Sequence, residues 1–207
     1  MAQFFSVHPD HPQPRLMRQA AEIMRGGGLV AFPTDSAYAL GGHLGDAALI
    51  ERIRRIRNVD ARHHFTLMCR DLSEIGTFAR VDNAVYRLLK ATTPGPYTFI
   101  LEGTKELPRR LLHPKRKTIG LRIPEHPVVG GLLEELGEPI LTSTLILPDD
   151  DEPLTDADDI RDRLGKLIDL VIDGGPCPGE ATTVIDLTGG SPELVREGKG
   201  DLAPFGL

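Results

Sequence analysis

The sequence of 207 residues predicts an α/β protein, built on a twisted, open, mixed β-sheet with flanking helices. Short apolar runs, typical of buried strands, alternate irregularly with longer segments whose apolar residues recur at helical spacing. The irregular alternation favours a mixed sheet over a regularly wound parallel one. No internal repeat or low-complexity linker interrupts the pattern. We therefore expect a single domain over residues 1–207, with its core at about 15–198.

The N-terminal half predicts three helices and three strands. Residues 15–25 have amphipathic spacing and are followed by three glycines, which end a helix well. The apolar run at 29–32 predicts a strand covered on both faces, and Pro33 ends it because proline cannot continue a central ladder. Asp46 is a suitable N-cap for a helix over 47–57. The other predicted elements are a strand at 65–69, a helix at 83–91 and a strand at 97–102.

The C-terminal half continues the same alternation. A strand over 118–123 follows a basic loop, and a helix over 127–136 ends at Gly137. A short helix over 156–164 begins with aspartates, which suit the positive end of its dipole. The remaining predicted strands cover 140–147, 167–172, 183–187 and 193–197.

The composition excludes several classes of protein. No apolar run approaches the length of about 18 residues that a membrane span needs. The N-terminus has neither a basic start nor an apolar core, so it is not a signal peptide. Cys69 and Cys177 are far apart in the sequence, which argues against a disulfide framework or a zinc site. We expect a reduced, cytoplasmic protein with no membrane partner.

Positive charge is concentrated in two segments of an otherwise acidic chain, whose net charge is −6. Residues 52–70 contain six arginines and one acid, Asp60. Residues 105–122 contain seven basic residues and one acid, Glu106. Such segments indicate an anionic ligand, either a triphosphate or a nucleic acid. The alternative is two solvated surfaces.

Polar clusters follow several predicted strands. Thr34, Asp35 and Ser36 come directly after the buried strand, where a small polar ligand binds in many α/β sheets. Thr118 and Arg122 share one face of their strand, and an arginine beside a hydroxyl can hold a phosphate or a carboxylate. Ordinary turn or strand chemistry is the alternative for each cluster. Further clusters contain Arg57, residues 142–144, Thr182, Thr183 and Arg196.

No catalytic motif is evident. The chain has no P-loop, no GxGxxG and no GxSxG. His63 and His64 are adjacent and would face opposite ways on a strand, without flanking carboxylates, so no metal bound by protein ligands is expected. Hydroxyls and arginines without an obvious base indicate chemistry by positioning and electrostatics, as in phosphoryl or adenylyl transfer. No catalytic residue is assigned.

Several segments, taken in order, resemble the YrdC/YciO family of threonylcarbamoyl-adenylate synthase-like proteins. They are GGLVAFPTDSAYALGG, IRRIRNVD, FTLMCR, PGPYTFIL, TIGLRIPEHPVVGGLL, PILTST, TTVIDLT and VREG. TLMCRDLSE and GEPILTSTLILP are most similar to the YciO-like branch. The resemblance covers nearly the whole chain.

The resemblance implies a YrdC-like fold with a concave, positively charged groove. Synthases of the family are nucleotidyltransferase-type enzymes that convert threonine, bicarbonate and ATP into threonylcarbamoyl-AMP and pyrophosphate, for the tRNA modification t6A37. Mg²⁺ would arrive with ATP, since this hard cation favours phosphate oxygens. The family also implies double-stranded RNA or tRNA as partners.

The same resemblance implies roles for individual residues. Threonine would be held by Thr34, Arg122 and Thr183, and the ATP phosphates by Arg57, Thr118, Thr144 and Arg196. Two positions depart from the synthase pattern: Val59 replaces an arginine, and Ile146 replaces an asparagine. Each loss of a polar partner for a phosphate costs about 1.5–3 kcal/mol.

Three hypotheses follow from this resemblance. The protein is a synthase, of reduced activity, or it hydrolyses threonylcarbamoyl-AMP, or it is a non-catalytic module that binds RNA. Pyrophosphate release that depends on threonine, bicarbonate and ATP would support the first hypothesis. Consumption of supplied threonylcarbamoyl-AMP would support the second. RNA affinity that falls steeply with salt, without nucleotide turnover, would support the third.

Overall fold

The computed structural model describes residues 1–207 and contains one sheet of ten strands with six helices. The strands are β1 (Gln3–Ser6), β2 (Val30–Phe32), β3 (Ala39–His43), β4 (Thr66–Met68), β5 (Tyr97–Glu102), β6 (Thr118–Arg122), β7 (Ile140–Thr144), β8 (Leu170–Asp173), β9 (Thr183–Asp186) and β10 (Glu193–Arg196). The helices are α1 (Pro14–Arg25), α2 (Ala47–Arg57), α3 (Leu72–Phe78), α4 (Asn83–Thr92), α5 (Pro127–Leu136) and α6 (Ala157–Leu164).

The sheet is open and mixed, as the sequence predicts. Its strand order is β1-β8-β2-β3-β7-β4-β6-β5-β9-β10. Four neighbouring pairs are parallel, and five are antiparallel. Short edge strands close both ends of the order, at β1 and β10. The predicted fold class is confirmed.

The two faces of the sheet are covered unequally. On one face, α2, α3, α4 and α6 pack with the sheet into a cluster of 33 buried apolar residues. On the other face, α1 and α5 form a second cluster of 17 residues, and their strand partners come from β2, β3, β4, β7 and β8. No residue of β5, β6 or β9 belongs to that second cluster. Beyond α1 and α5, the second face is therefore left without a helical layer.

Three elements are absent from the sequence-based prediction: β1, β3 and α3. Strand β3 contains Gly41 and Gly42, which lower strand propensity. The sheet requires both, because a Cβ on Gly41 would lie 2.9 Å from the carbonyl oxygen of Leu141, and one on Gly42 would lie 2.8 Å from that of Gly28. The predicted strand at 140–147 ends earlier, at Thr144. No helix combines the length and apolarity needed to cross a bilayer.

Candidate functional site

The part of the second face that α1 and α5 leave uncovered forms a groove lined mainly by polar groups. Thr66 on β4 lies opposite Thr142 on β7 and Gly120 on β6. Met68, two residues further along β4, already belongs to the apolar cluster under the helices. The change from methionine to threonine on one strand face therefore marks where the groove begins.

The groove has two connected parts. The main compartment is a cavity of about 360 Å³ that includes Arg57, Arg62 and Arg196 and no carboxylate. The inner compartment is a smaller cavity of about 20 Å³ that Arg122 lines. Thr66, Thr98 and Thr144 line both compartments, which therefore adjoin each other.

A cluster around Arg57 forms one wall of the main compartment. Strand β4 begins at Thr66, opposite Thr142, so Ser143 extends past it towards the loop after α2. The Nη1 group of Arg57 donates to Ser143 Oγ at 2.6 Å and approaches His63 Nε2 at 3.1 Å. The Nε group of Arg57 donates to the carbonyl oxygen of Ile146 at 3.1 Å. The side chains of this Arg57 cluster are therefore fixed relative to one another.

His63 is neutral at pH 7. Burial, followed by the positive charge of Arg57, lowers the pKa of His63 to about 4. Its Nε2 atom lies 3.0 Å from Ser143 Oγ as well as 3.1 Å from Arg57 Nη1. Because arginine can only donate, Nε2 is the acceptor and the ring proton sits on Nδ1. The groove thus contains a neutral imidazole beside a serine hydroxyl.

Arg196 reaches the groove through a β-bulge. Leu194 on β10 pairs with Ile185, yet Arg196 pairs with Val184, so the register shifts by one between them. Such a bulge moves the following side chain to the other face of the sheet. There the Nε and Nη2 groups of Arg196 donate to the carbonyl oxygen of Thr182 at 3.2 and 2.9 Å.

Arg57 and Arg196 have no acidic partner, although Arg57 is half-buried. Neither guanidinium forms an ion pair with a carboxylate. Burial, and then repulsion from Arg196, lower the pKa of Arg57 to about 10. Two arginines that line one cavity and have no carboxylate partner are well suited to bind an anion with several oxygens.

Arg122 lies deeper and is already paired. Its Nη2 group donates to Asp35 Oδ1, and the two side chains are only 6% and 10% exposed. Burial lowers the pKa of Arg122, and Asp35 acts in the opposite direction. The Nε atom of Arg122 is buried and has no hydrogen-bond partner in the protein. This orphaned donor suits a carboxylate held in the inner compartment.

The other threonine residues that were predicted to bind threonine or ATP lie in different places. Thr144 lines both compartments. Thr34 lines neither, because its hydroxyl donates to the carbonyl oxygen of Ala37 at 2.7 Å and stabilises the turn after β2. Ser36, in the same turn, lines the inner compartment. Thr118 is buried, with its hydroxyl 3.3 Å from His64 Nε2.

Thr183 lies on the opposite side of β9 from the groove. Its hydroxyl donates to the carbonyl oxygen of Gly200 at 2.7 Å and accepts from the Gly198 N–H at 3.1 Å. Ile185, two residues further along the strand, belongs to the apolar cluster under α2, α3, α4 and α6. The threonine that lines the main compartment is Thr182, which the resemblance does not assign.

The structure also places a histidine beside one of the hydroxyls, a contact that the sequence does not predict. His63 and Ser143 are 80 residues apart in the sequence, and their contact depends on the meeting of β7 with the loop before β4. The only available signals were a histidine near Arg57 and a hydroxyl within residues 142–144. Neither signal specifies a partner.

The two basic segments do not converge on the groove as wholes. Arg57 and Arg62 line the main compartment and Arg122 the inner one. Arg62 is exposed and paired with Asp60. Other members pair elsewhere, in the ion pairs Arg52–Asp169, Arg70–Glu74 and Arg116–Asp186.

The two departures from the synthase pattern differ in position. Ile146 lines the main compartment, and its carbonyl oxygen accepts from Arg57. Val59 lies in the turn that ends α2, where its N–H donates to the carbonyl oxygen of Arg54 at 3.1 Å. It lines neither compartment. The departure at 146 thus changes the surface of the cavity directly.

Comparisons with known proteins agree with the fold. The family model for Sua5, YciO and YrdC proteins, which carries the description "Telomere recombination", matches residues 22–198. Escherichia coli K12 YciO, described as uncharacterized, is 56% identical over 205 residues, which cover 99% of this chain and 100% of that protein. The crystal structure of E. coli YciO superposes with a TM-score of 0.96, over 99% of this chain and 100% of that one.

More distant relatives are named for an activity or are known with a ligand bound. The threonylcarbamoyl-AMP synthase of Pyrococcus abyssi is 30% identical over 184 residues, which cover 88% of this chain and 54% of that protein. The crystal structure of P. abyssi Sua5 complexed with L-threonine superposes with a TM-score of 0.86 at 28% identity. That match covers 94% of this chain and 57% of the other.

Proposed function

Since the chain belongs to the Sua5/YciO/YrdC family, we propose that its groove binds ATP and L-threonine and forms L-threonylcarbamoyl-adenylate. The observation that carries this proposal is the pair of arginines without acidic partners, Arg57 and Arg196, in a cavity that adjoins a second one at Arg122. A long anion and a small carboxylate can then lie in adjoining compartments. The relatives named as threonylcarbamoyl-AMP synthases support this choice of ligands.

The ATP phosphates would lie in the main compartment, with Mg²⁺ bound to their oxygens. Arg57 and Arg196 face them as donors, and Thr144 stands at the junction of the compartments. The threonine carboxylate would lie in the inner compartment against the free Nε–H of Arg122. The residues that line both compartments, Thr66, Thr98 and Thr144, would lie between the two ligands. The amino group of the bound L-threonine would then face the phosphates.

The overall reaction joins three small molecules. The threonine amino group attacks the carbon of bicarbonate and forms a carbamate, with loss of water. A carbamate oxygen then attacks the α-phosphorus of ATP, and pyrophosphate leaves. Charge accumulates on the phosphate oxygens during the second step, and fixed cations in a partly dry groove stabilise it.

We expect the activity to be weak in comparison with that of a synthase that has arginine and asparagine at the two departing positions. Losing both polar partners in the transition state would lower kcat/KM about 100-fold or more. The remaining cation at Arg57 is also shared with Ser143, His63 and Ile146. Binding is less affected, because both compartments keep their arginines.

Pyrophosphate release from ATP tests the proposal, with threonine and bicarbonate each supplied and omitted. Release should require both and should fall at least tenfold in Arg57→Ala. Arg80→Ala is the matched control, because Arg80 is exposed, pairs with Glu102 and lies outside the groove. Release independent of threonine would contradict the proposal.

Hydrolysis of threonylcarbamoyl-AMP is the second candidate, and the His63–Ser143 contact is the observation that favours it. If the adenylate phosphate draws Arg57 away from His63, Nε2 of the neutral imidazole can accept a proton from water that attacks the adenylate. Consumption of supplied threonylcarbamoyl-AMP, lost in His63→Gln, would support hydrolysis over synthesis. RNA binding and a cytoplasmic location remain predictions from the sequence.

A further inference from the structure

The guanidinium of Arg122, which would bind a ligand carboxylate, is already paired with Asp35. Both side chains are almost completely buried, and Arg122 lines the inner compartment while Asp35 does not. Asp35 thus takes up the Nη2 group of the guanidinium from outside the lining of the inner compartment. The Nε–H of Arg122 is left over, buried and without a partner.

Asp35 is held where it is by further contacts. Its Oδ2 atom accepts from the backbone N–H of Glu125 at 3.1 Å. Its carbonyl oxygen accepts from Lys199 Nζ at 2.8 Å. The carboxylate therefore cannot move aside freely when a second carboxylate approaches Arg122. The ligand must bind to a guanidinium that is already half neutralised.

We propose that Asp35 is an internal counter-ion that competes with the ligand for Arg122, and that it sets the affinity and selectivity of the inner compartment for amino acids. The inference deepens the proposed function and takes from it the threonine carboxylate as the ligand group. Two carboxylates on one guanidinium repel each other, and at an effective dielectric constant of about 20 this weakens binding by about ten- to a hundredfold.

The counter-ion also stabilises the fold of the free protein. A buried arginine without a counter-ion strongly destabilises a fold. Asp35 neutralises Arg122 in the free protein, and the cost is weaker binding of the ligand. The same charge balance should exclude amino acids with a second carboxylate, because a further negative charge would meet no free cation in the inner compartment.

The test is the affinity of Asp35→Asn for L-threonine, and for acetate as the simplest carboxylate, measured by calorimetry without ATP. The asparagine oxygen can still accept from the Glu125 N–H, so the turn is kept. We expect at least tenfold tighter binding of both ligands than in the wild type. Asp158→Asn is the matched control, because Asp158 pairs with Arg161 on the exposed surface and should leave both affinities unchanged.

Equal or weaker carboxylate binding by Asp35→Asn would overturn the inference and make Asp35 a residue that only positions Arg122. If the variant does not fold, the wild type supplies the test through threoninamide. Threoninamide should bind less than about tenfold more weakly than threonine, since Arg122 is already half neutralised, and a loss above about a hundredfold would overturn the inference. Pyrophosphate release plays no part here, so a failure of the proposed synthesis would appear separately.

Discussion

Replacing His63 by glutamine should make the protein less sensitive to acid. The pKa of His63 is about 4 in the folded state, because the ring is largely buried beside Arg57, and about 6.5 in the unfolded chain. Between these values the unfolded state binds more protons, so the free energy of unfolding falls as the pH is lowered from about 6.5 towards 4. Glutamine removes this difference and keeps an oxygen that can accept from Arg57 and Ser143.

The size of the expected stability change follows from the difference between the pKa of His63 in the folded protein and in the unfolded chain. A difference of about 2.5 pKa units corresponds to about 3 kcal/mol at its limit. When the pH falls from about 7 to about 4.5, the protonation of His63 should lower the free energy of unfolding of the wild type by about 2 kcal/mol, with allowance for the partial exposure of this ring. Other titratable groups also lower the stability at acid pH, and their contribution cancels when the wild type is compared with His63→Gln. Urea unfolding of the wild type and His63→Gln at both pH values measures the difference.

An equal loss of stability in the wild type and in His63→Gln would contradict the lowered pKa of His63 in the folded protein. His11→Gln serves as the control, because His11 lies in the exposed segment before α1 and outside the groove. Saturating ATP provides a link to function. A polyanion beside Arg57 should raise the pKa of His63, and the difference between wild type and His63→Gln should then shrink.

Three further predictions concern the groove itself. Arg122→Ala should weaken L-threonine binding at least tenfold in calorimetry, because the ligand carboxylate would then lie near the charge of Asp35 with no cation between them, and unchanged binding would remove Arg122 from the site. Val59→Arg combined with Ile146→Asn should raise pyrophosphate release about tenfold or more if the departures limit the rate; no change would show that they do not. Gly120→Ala should reduce ATP binding, since its Cβ would lie 2.9 Å from Thr66 Oγ1 and 3.1 Å from a backbone oxygen on the floor of the groove; binding at wild-type affinity would contradict the described floor.

Local patterns were sufficient to predict most of the fold. Helices α1, α2, α4, α5 and α6 were predictable because each has apolar residues at helical spacing and a recognisable end, such as Asp46 before α2 or Gly137 after α5. Strand β3 was not, because its glycines serve close approach between strands and give no local signal of a strand. Strand β1 is a short parallel edge strand whose partner, β8, is distant in the sequence.

The site shows the same division between local and distant information. The period of two predicts that Arg122 shares a face of β6 with Gly120, and both residues line the groove. It does not predict that a bulge turns Arg196 to that face, or that Thr182, and not Thr183, lines the groove. The contact between His63 and Ser143 depends on tertiary structure alone.

Direct detection of the product tests the proposed synthesis. The wild-type protein would be incubated with ATP, Mg²⁺, bicarbonate and isotopically labelled L-threonine, and the mixture analysed by mass spectrometry. We expect labelled threonylcarbamoyl-AMP when all components are present and none when threonine or bicarbonate is omitted. Absence of the product from the complete mixture, in a protein that binds both ATP and threonine, would contradict the proposed synthesis.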